Sequence, residues 1–233
     1  MKPHTVVILQ PSYLPWLGYF EQFYQCDVFV AYDDVQYTKN DWRNRNRIRN
    51  TQGWQWLTVP VATSGRPEQT LQEVQIVQNT PWARKHLAAL RASYGKAPFF
   101  ELYYPPLEAL YEQEWHYLTD LNLSLFQTLA GFLGLTRTLV RSSGLGIQGE
   151  PTERLVKICQ HFGAERFYEG SAGRNYLQVE AFEAQGIQVQ YQDYPHPEYQ
   201  QLHGPFEAYM SCIDLLFNHG PASLGILIGQ TPP

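Results

Sequence analysis

Cysteine is scarce: the 233-residue chain holds three, Cys26, Cys159 and Cys212, widely spaced and in no CxxC pattern. An odd, scattered set argues against a disulfide framework and against paired thiolates for zinc. Cys159 and Cys212 lie in apolar helical text and read as small buried hydrophobes, and none of the three has the electropositive setting a thiolate nucleophile needs. Charge is also thin, at 17% of residues, with 17 Lys and Arg against 22 Asp and Glu, a net −5. A general nucleic-acid binder needs an excess of base, so no nucleic-acid partner is expected. No apolar run approaches the roughly 18 residues that span a bilayer. The start, Met1-Lys2-Pro3-His4 and then five apolar or β-branched residues before Gln10-Pro11, is too short for a signal-peptide core, so the expected location is the cytoplasm.

Aromatic residues are abundant instead, with 16 Tyr and 6 Trp, which suits either a large core or a cleft that holds a sugar or nucleotide. Thr5–Leu9 reads as a buried strand, Leu17–Gln25 as a helix and Asp27–Tyr32 as a second strand, which is the order of a βαβ unit. An antiparallel insert is expected over about 42–77: a hairpin turning at Thr51-Gln52-Gly53, then a third strand at Thr70–Val77. A helical middle follows over about 80–133, with helices from Pro81, over Leu107–Gln113 and over Tyr117–Leu133. The last third alternates helix Pro151–Phe162, strand Arg166–Glu169, helix Tyr176–Gln185, strand Ile187–Tyr191 and helix Pro205–Phe217. The expected fold is therefore α/β, a Rossmann-like mixed sheet with helices on both faces and an antiparallel β insert, in a single domain spanning 1–233.

Five constellations could carry chemistry. Gln10, Tyr13 and Trp16 cluster where the first strand hands over to the first helix, the end of the sheet at which α/β proteins bind ligands; a rigid turn is the plainer reading. Asp33 and Asp34, with Gln36, follow the second strand. One of the carboxylates could serve the cleft, and no metal site is assigned. Arg43, Arg45, Arg47 and Arg49 alternate with Asn44, Asn46, Ile48 and Asn50, so a strand would put four guanidiniums on one face. Stacked like charges call for an anion, with Arg45 and Arg47 its expected holders and Asn44 and Asn46 beside them; the alternative is an edge strand guarded by charge. Gly170, Ser171, Gly173 and Arg174 form a glycine-bearing turn before a helix, neither a Walker loop nor GxGxxG. His196, between two prolines and close to Asp193 and Tyr199, is the best general-base candidate, with either neighbour orienting the ring.

The segments QPSYLPWLGYF, DVFVAYDDVQYTK, NRNRI, WLTVPV, HPEYQQ and SCIDLLFNHG together resemble the successive blocks of the WbqC family, over nearly the whole chain. The resemblance implies a place in bacterial O-antigen and related polysaccharide clusters, with a glycine-transferase role suggested for members. It carries over no catalytic residues. A second likeness is to the HxGH loop of class I nucleotidyltransferases, but Trp16 and Tyr19 stand where the histidines would. The expected activity is acyl or aminoacyl transfer, glycyl included, onto an amino sugar or sugar nucleotide. The donor would be a nucleotide or an activated aminoacyl group, and the partner a small sugar or sugar-nucleotide substrate. The alternatives are a nucleotidyltransferase-like enzyme lacking the HxGH histidines and a non-catalytic sugar-nucleotide-binding subunit.

Overall fold

The computed structural model describes residues 2–229. In chain order its elements are β1 (Thr5–Leu9), α1 (Leu17–Gln25), β2 (Val28–Ala31), β3 (Arg45–Asn50), β4 (Gly53–Thr58), α2 (Trp82–Tyr94), α3 (Phe100–Tyr111), α4 (Leu118–Phe132), β5 (Thr138–Arg141), α5 (Pro151–His161), β6 (Arg166–Glu169), α6 (Val179–Glu183), β7 (Gln188–Tyr191), α7 (Cys212–His219) and α8 (Ser223–Leu227). They divide into two compact units, each assembled from three stretches of chain.

The first unit takes Met1–Gln10, Glu21–Asp34 and Thr136–Pro195. Its five strands lie in the order β5-β2-β1-β6-β7, and every pairing is parallel. From β1 the chain steps one way to β2 and β5, then returns to the other side of β1 for β6 and β7. The strand order therefore reverses between β1 and β6, as in a doubly wound sheet. Period-two alternation sends Val6, Ile8, Val28, Val30 and Phe167 to one face, against Leu155 and Ile158 of α5 and Phe182 of α6. The Phe167 and Phe182 rings stack at 5.0 Å, and full burial of such a ring stabilises by about 2–3 kcal/mol. Phe29 points to the opposite face and meets Phe23 of α1 at 5.4 Å. The expected mixed sheet is thus a wholly parallel one, and the antiparallel pair forms a sheet of its own.

The second unit takes Pro11–Phe20, Val35–Leu135 and His196–Pro233. Its hairpin pairs β3 with β4 in the register Arg45↔Thr58 to Asn50↔Gly53, turning at a glycine with φ 124°. Around it α2, α3, α4 and α7 bury an aromatic core in which Phe217 lies 5.1 Å from Tyr94 and 5.2 Å from Phe100.

Four expectations need correction. The third strand at Thr70–Val77 is absent: Leu71–Glu73 is a single 3-10 turn, because Glu73 reaches back to the Thr70 N–H at 2.8 Å and closes a capping box. Helix α3 begins before the prolines, at Phe100. Pro105 and Pro106 lie on its exposed side, where water can meet the carbonyls they leave unbonded, while Phe100, Tyr103, Tyr104, Leu107 and Tyr111 form the buried stripe. The helix expected at Pro205–Phe217 starts only at Cys212, since Ser211 caps it and gives its own N–H to Arg47 O at 2.9 Å. The helix expected at Tyr176–Gln185 shrinks to α6, preceded by a 3-10 turn at Ser171–Asn175. Strand β5 had no sequence signal of its own.

Candidate functional site

The hairpin sorts its residues by strand periodicity. Asn44, Asn46 and Ile48 point inward and are buried. Asn44 Nδ2 donates to Val59 O at 2.9 Å, and Asn46 Nδ2 donates to Tyr13 O at 3.2 Å and Leu14 O at 2.7 Å. These asparagines brace backbone, including Leu14 at φ 43°, so their amide nitrogens are occupied by protein. The four arginines also part company. Arg43 pairs with Asp41 at 2.8 Å. Arg49, only 3% exposed, donates to Gln201 Oε1 at 3.3 Å, to Pro205 O at 2.7 Å and to Gly53 O, and is a buried strut.

Arg45 and Arg47 alone face the open side with the tryptophans. The Arg45 guanidinium lies 4.4 Å over Trp56, and that of Arg47 lies 5.1 Å over Trp54 and 5.8 Å over Trp42. Trp42 and Trp54 are each 41% exposed and Trp56 is 38% exposed, costly for indoles unless something covers them. One Nη of Arg45 donates to Asn40 O at 2.5 Å and one of Arg47 to Tyr209 O at 3.2 Å, while the Nε of each has no partner among the described residues. With Asn40 and Asp41, they line a depression of about 350 Å³. Two planar guanidiniums held over indoles offer forked donors to an anion, and the exposed indole faces offer stacking to a ring.

Tyr209 joins this face to His196. Its carbonyl takes the Arg47 bond, its N–H donates to His196 Nε2 at 3.2 Å, and its ring, half exposed at φ 60°, lies 5.1 Å from the imidazole. Trp16 stacks on His196 at 6.2 Å and 13° and meets Tyr209 at a tilt, 5.6 Å and 56°. His196 Nδ1 donates to Pro197 O at 2.9 Å, which fixes the tautomer and leaves Nε2 as the acceptor, and burial holds the ring's pKa below the usual histidine range. Tyr199 stacks on the imidazole at 6.4 Å, but its hydroxyl donates to Asp214 at 2.9 Å, as does Gln201 Nε2 at 2.9 Å. HPEYQQ is thereby tied to SCIDLLFNHG through one buried carboxylate, which burial pushes to a higher pKa.

The other expected residues are placed as follows. Tyr13 is fully buried, its hydroxyl 2.7 Å from His86 Nδ1 and bonded to Tyr111 OH, so it offers no stacking face. His86 Nε2 donates to Thr58 O at 3.2 Å, and burial lowers its pKa to about 4. Gln36 donates to Pro67 O at 3.1 Å on the surface. In the first unit, Asp33 is fully buried and accepts from Arg141 Nε at 2.5 Å and from the Ser143 N–H and Oγ, each at 3.0 Å. Asp34 is bonded by Arg154 and by Ser142 Oγ at 2.5 Å. Both carboxylates sit in a closed network at the end of β2, and no group of His, Cys, Asp or Glu among the described residues is arranged to hold a metal ion.

Gln10 and Asp193 also belong to the first unit, as does the Gly170–Arg174 turn. A Cβ on Gly173 would sit 2.4 Å from Glu169 Cγ, so this glycine admits the glutamate side chain. Arg174 covers Tyr191 at 4.3 Å. Glu169 itself was not foreseen: it is buried at the end of β6, accepts from Tyr176 OH at 3.0 Å, and is pushed up to a pKa of about 7 by burial. Its position at a strand's carboxyl end was the only signal available. The tryptophans of the hairpin were also passed over, although their spacing at 54 and 56 puts them on the arginines' face.

A doubly wound parallel sheet, with an arginine–tryptophan hairpin in a separate helical unit, defines an α/β protein with a surface suited to anionic, ring-bearing ligands. The model of the WbqC-like protein family matches residues 10–226, and the chain belongs to that family. It is 40% identical over 217 residues to the uncharacterized protein Rv1507c of Mycobacterium tuberculosis (strain ATCC 25618 / H37Rv), covering 92% of this chain and 94% of that one. No solved structure matches. Among the described residues no helix is long and apolar enough to cross a membrane.

Proposed function

We propose that the protein binds an anionic sugar derivative, a sugar phosphate or sugar nucleotide, on the Arg45–Arg47 face of its hairpin. The observation that carries this reading is the pair of guanidiniums lying over exposed indoles, with no carboxylate among the described residues to answer them in a salt bridge. An anion would accept forked hydrogen bonds from the arginines while a sugar or base ring stacks on Trp42, Trp54 or Trp56. The finer proposal, drawn from the family resemblance, is acyl or aminoacyl transfer, glycyl included, onto an amino sugar during surface-polysaccharide (O-antigen) biosynthesis. There the neutral His196 would take a proton at Nε2 from the attacking amine, the nitrogen would bond to the acyl carbon, and the donor's leaving group would depart with its bonding electrons.

A second reading, a non-catalytic sugar-nucleotide-binding subunit, is favoured by one observation: both ring nitrogens of His196 already have backbone partners. Calorimetry with a panel of sugar nucleotides and sugar phosphates tests the binding. A charge-assisted pair contributes about 1.5–3 kcal/mol, so Arg45→Ala should weaken binding by roughly 10- to 100-fold, and Arg45→Lys should restore part of it. Binding unchanged in both variants would refute the assignment. Turnover with an amine acceptor, lost in His196→Gln while binding persists, would separate transfer from binding alone.

A further inference from the structure

The two edges of the hairpin are unequal. Val59 donates to Asn44 O at 2.8 Å, which sets the ladder: Asn46↔Leu57 and Ile48↔Gln55 exchange bonds across the hairpin. The backbone groups of Arg45, Arg47 and Arg49 on β3, and of Trp54, Trp56 and Thr58 on β4, therefore face outward. On β3 the middle of the edge is covered. Ser211 N–H donates to Arg47 O at 2.9 Å, Arg49 N–H donates to Tyr94 OH at 2.8 Å, and Arg47 N–H donates to Asn46 Oδ1 at 2.8 Å. On β4, His86 Nε2 closes the Thr58 carbonyl at 3.2 Å. Among the described residues the N–H and C=O of Trp54 and of Trp56 meet nothing on that side.

A groove of about 480 Å³ runs beside this open edge. Its far wall is one stripe of α2, Trp82, Lys85, His86 and Ala89, at the helical spacing that puts them on one face. Lys85 is exposed, His86 is kept neutral by burial, and no carboxylate lines the groove. Open edges are normally blunted by proline, charge or a covering segment, as Ser211 and Tyr94 do at Arg47 and Arg49 on β3.

We propose that the β4 edge takes an extended, acidic peptide segment of a partner protein, added as a third strand. Backbone bonds to Trp54 and Trp56 would supply sequence-independent affinity. Alternate side chains of the added strand would lie on the indoles and in the groove, where carboxylates would face Lys85. Charge complementarity selects this occupant over a second copy of the chain. Two copies paired through β4 would set one Lys85-bearing groove against another with no acid between them. This surface is the backbone edge of the hairpin; it shares the Trp54 and Trp56 indoles with the arginine face proposed for sugars but uses neither Arg45 nor Arg47.

The test is an NMR titration of the full-length, 15N-labelled chain with a blocked hexapeptide of alternating glutamate and valine. Two controls accompany it, the lysine-for-glutamate peptide and the glutamate peptide N-methylated at alternate residues. The acidic peptide should shift the Trp54 and Trp56 amides and slow their hydrogen exchange. Both controls should bind at least about tenfold more weakly, and Lys85→Glu, at an exposed position, should invert the preference toward the lysine peptide. The proposal is overturned if those amides ignore millimolar acidic peptide or if the N-methylated peptide binds equally. It is also overturned if sedimentation finds a dimer whose Trp54 and Trp56 amides are already protected without peptide.

Discussion

Lowering the pH should test the buried polar groups individually. His86 is held neutral at a pKa of about 4 against an ordinary 6.5, chiefly by burial. Below pH 6.5 the unfolded chain takes a proton there that the folded chain refuses. The stability due to this histidine is whole above pH 6.5 and is lost as pH falls toward 4. At about 1.4 kcal/mol per pH unit, that interval amounts to about 3 kcal/mol. Glu169 works in the opposite sense. Burial raises it from 4.5 to about 7, so the folded chain keeps a proton that the unfolded chain releases. Its contribution is whole below pH 4.5 and is lost as pH rises toward 7, again by about 3 kcal/mol. Between pH 4.5 and 6.5 the two slopes nearly cancel. In urea unfolding across pH 4–7 this pair should therefore add little net slope to the parent chain's profile. His86→Gln should tilt it so that stability rises on acidification, and Glu169→Gln should tilt it the other way. Parallel profiles for parent and both variants would refute the reasoning, because they would mean that neither group is shifted by its surroundings.

Gly18→Ala should lower the melting temperature and change the tryptophan emission, since the added Cβ would lie 2.2 Å from the Trp16 ring; overpacking of this kind costs about 1–3 kcal/mol, and an unchanged spectrum would count against the Trp16–His196 stack. Asn46→Ala removes the donor that holds Tyr13 O and Leu14 O, so chemical denaturation should register a loss of about 1–3 kcal/mol, whereas a ligand-binding asparagine would leave stability almost unchanged.

Much of the sheet was legible because its strands include short apolar runs bounded by turn residues, as Thr5–Leu9 and Val28–Ala31 are. The alternation of Arg45 and Arg47 with Asn44 and Asn46 correctly separated two faces. It could not say that Asn46 would meet backbone about 30 residues away, at Tyr13 and Leu14, since such partners are invisible to local spacing. Arg49 obeys the same alternation as Arg45, and only the arrival of Gln201 and Pro205 buries it. Thr70–Val77 misled because its alternating pattern coexists with a capping box, which turns Leu71–Glu73 and leaves only the single bridges Gln36↔Thr70, Gln75↔Tyr117 and Val61↔Ile76. His196 and Tyr199 are neighbours as expected, yet Asp214 takes the tyrosine hydroxyl, a competitor that lies in another segment of the chain.

The order in which the sheet is strung has a consequence for how the protein is born. Thr5 of β1 pairs with Arg166 of β6, some 160 positions later, and β7 joins only after that. On a ribosome, β1 and β2 emerge early and pair with each other, but one flank of β1 stays open until most of the chain has been made. Long-range parallel pairing of this kind is slow, and a waiting apolar edge is a target for other chains. Refolding from denaturant should therefore depend steeply on protein concentration. A truncation ending before Arg166 should aggregate rather than persist as a smaller stable sheet.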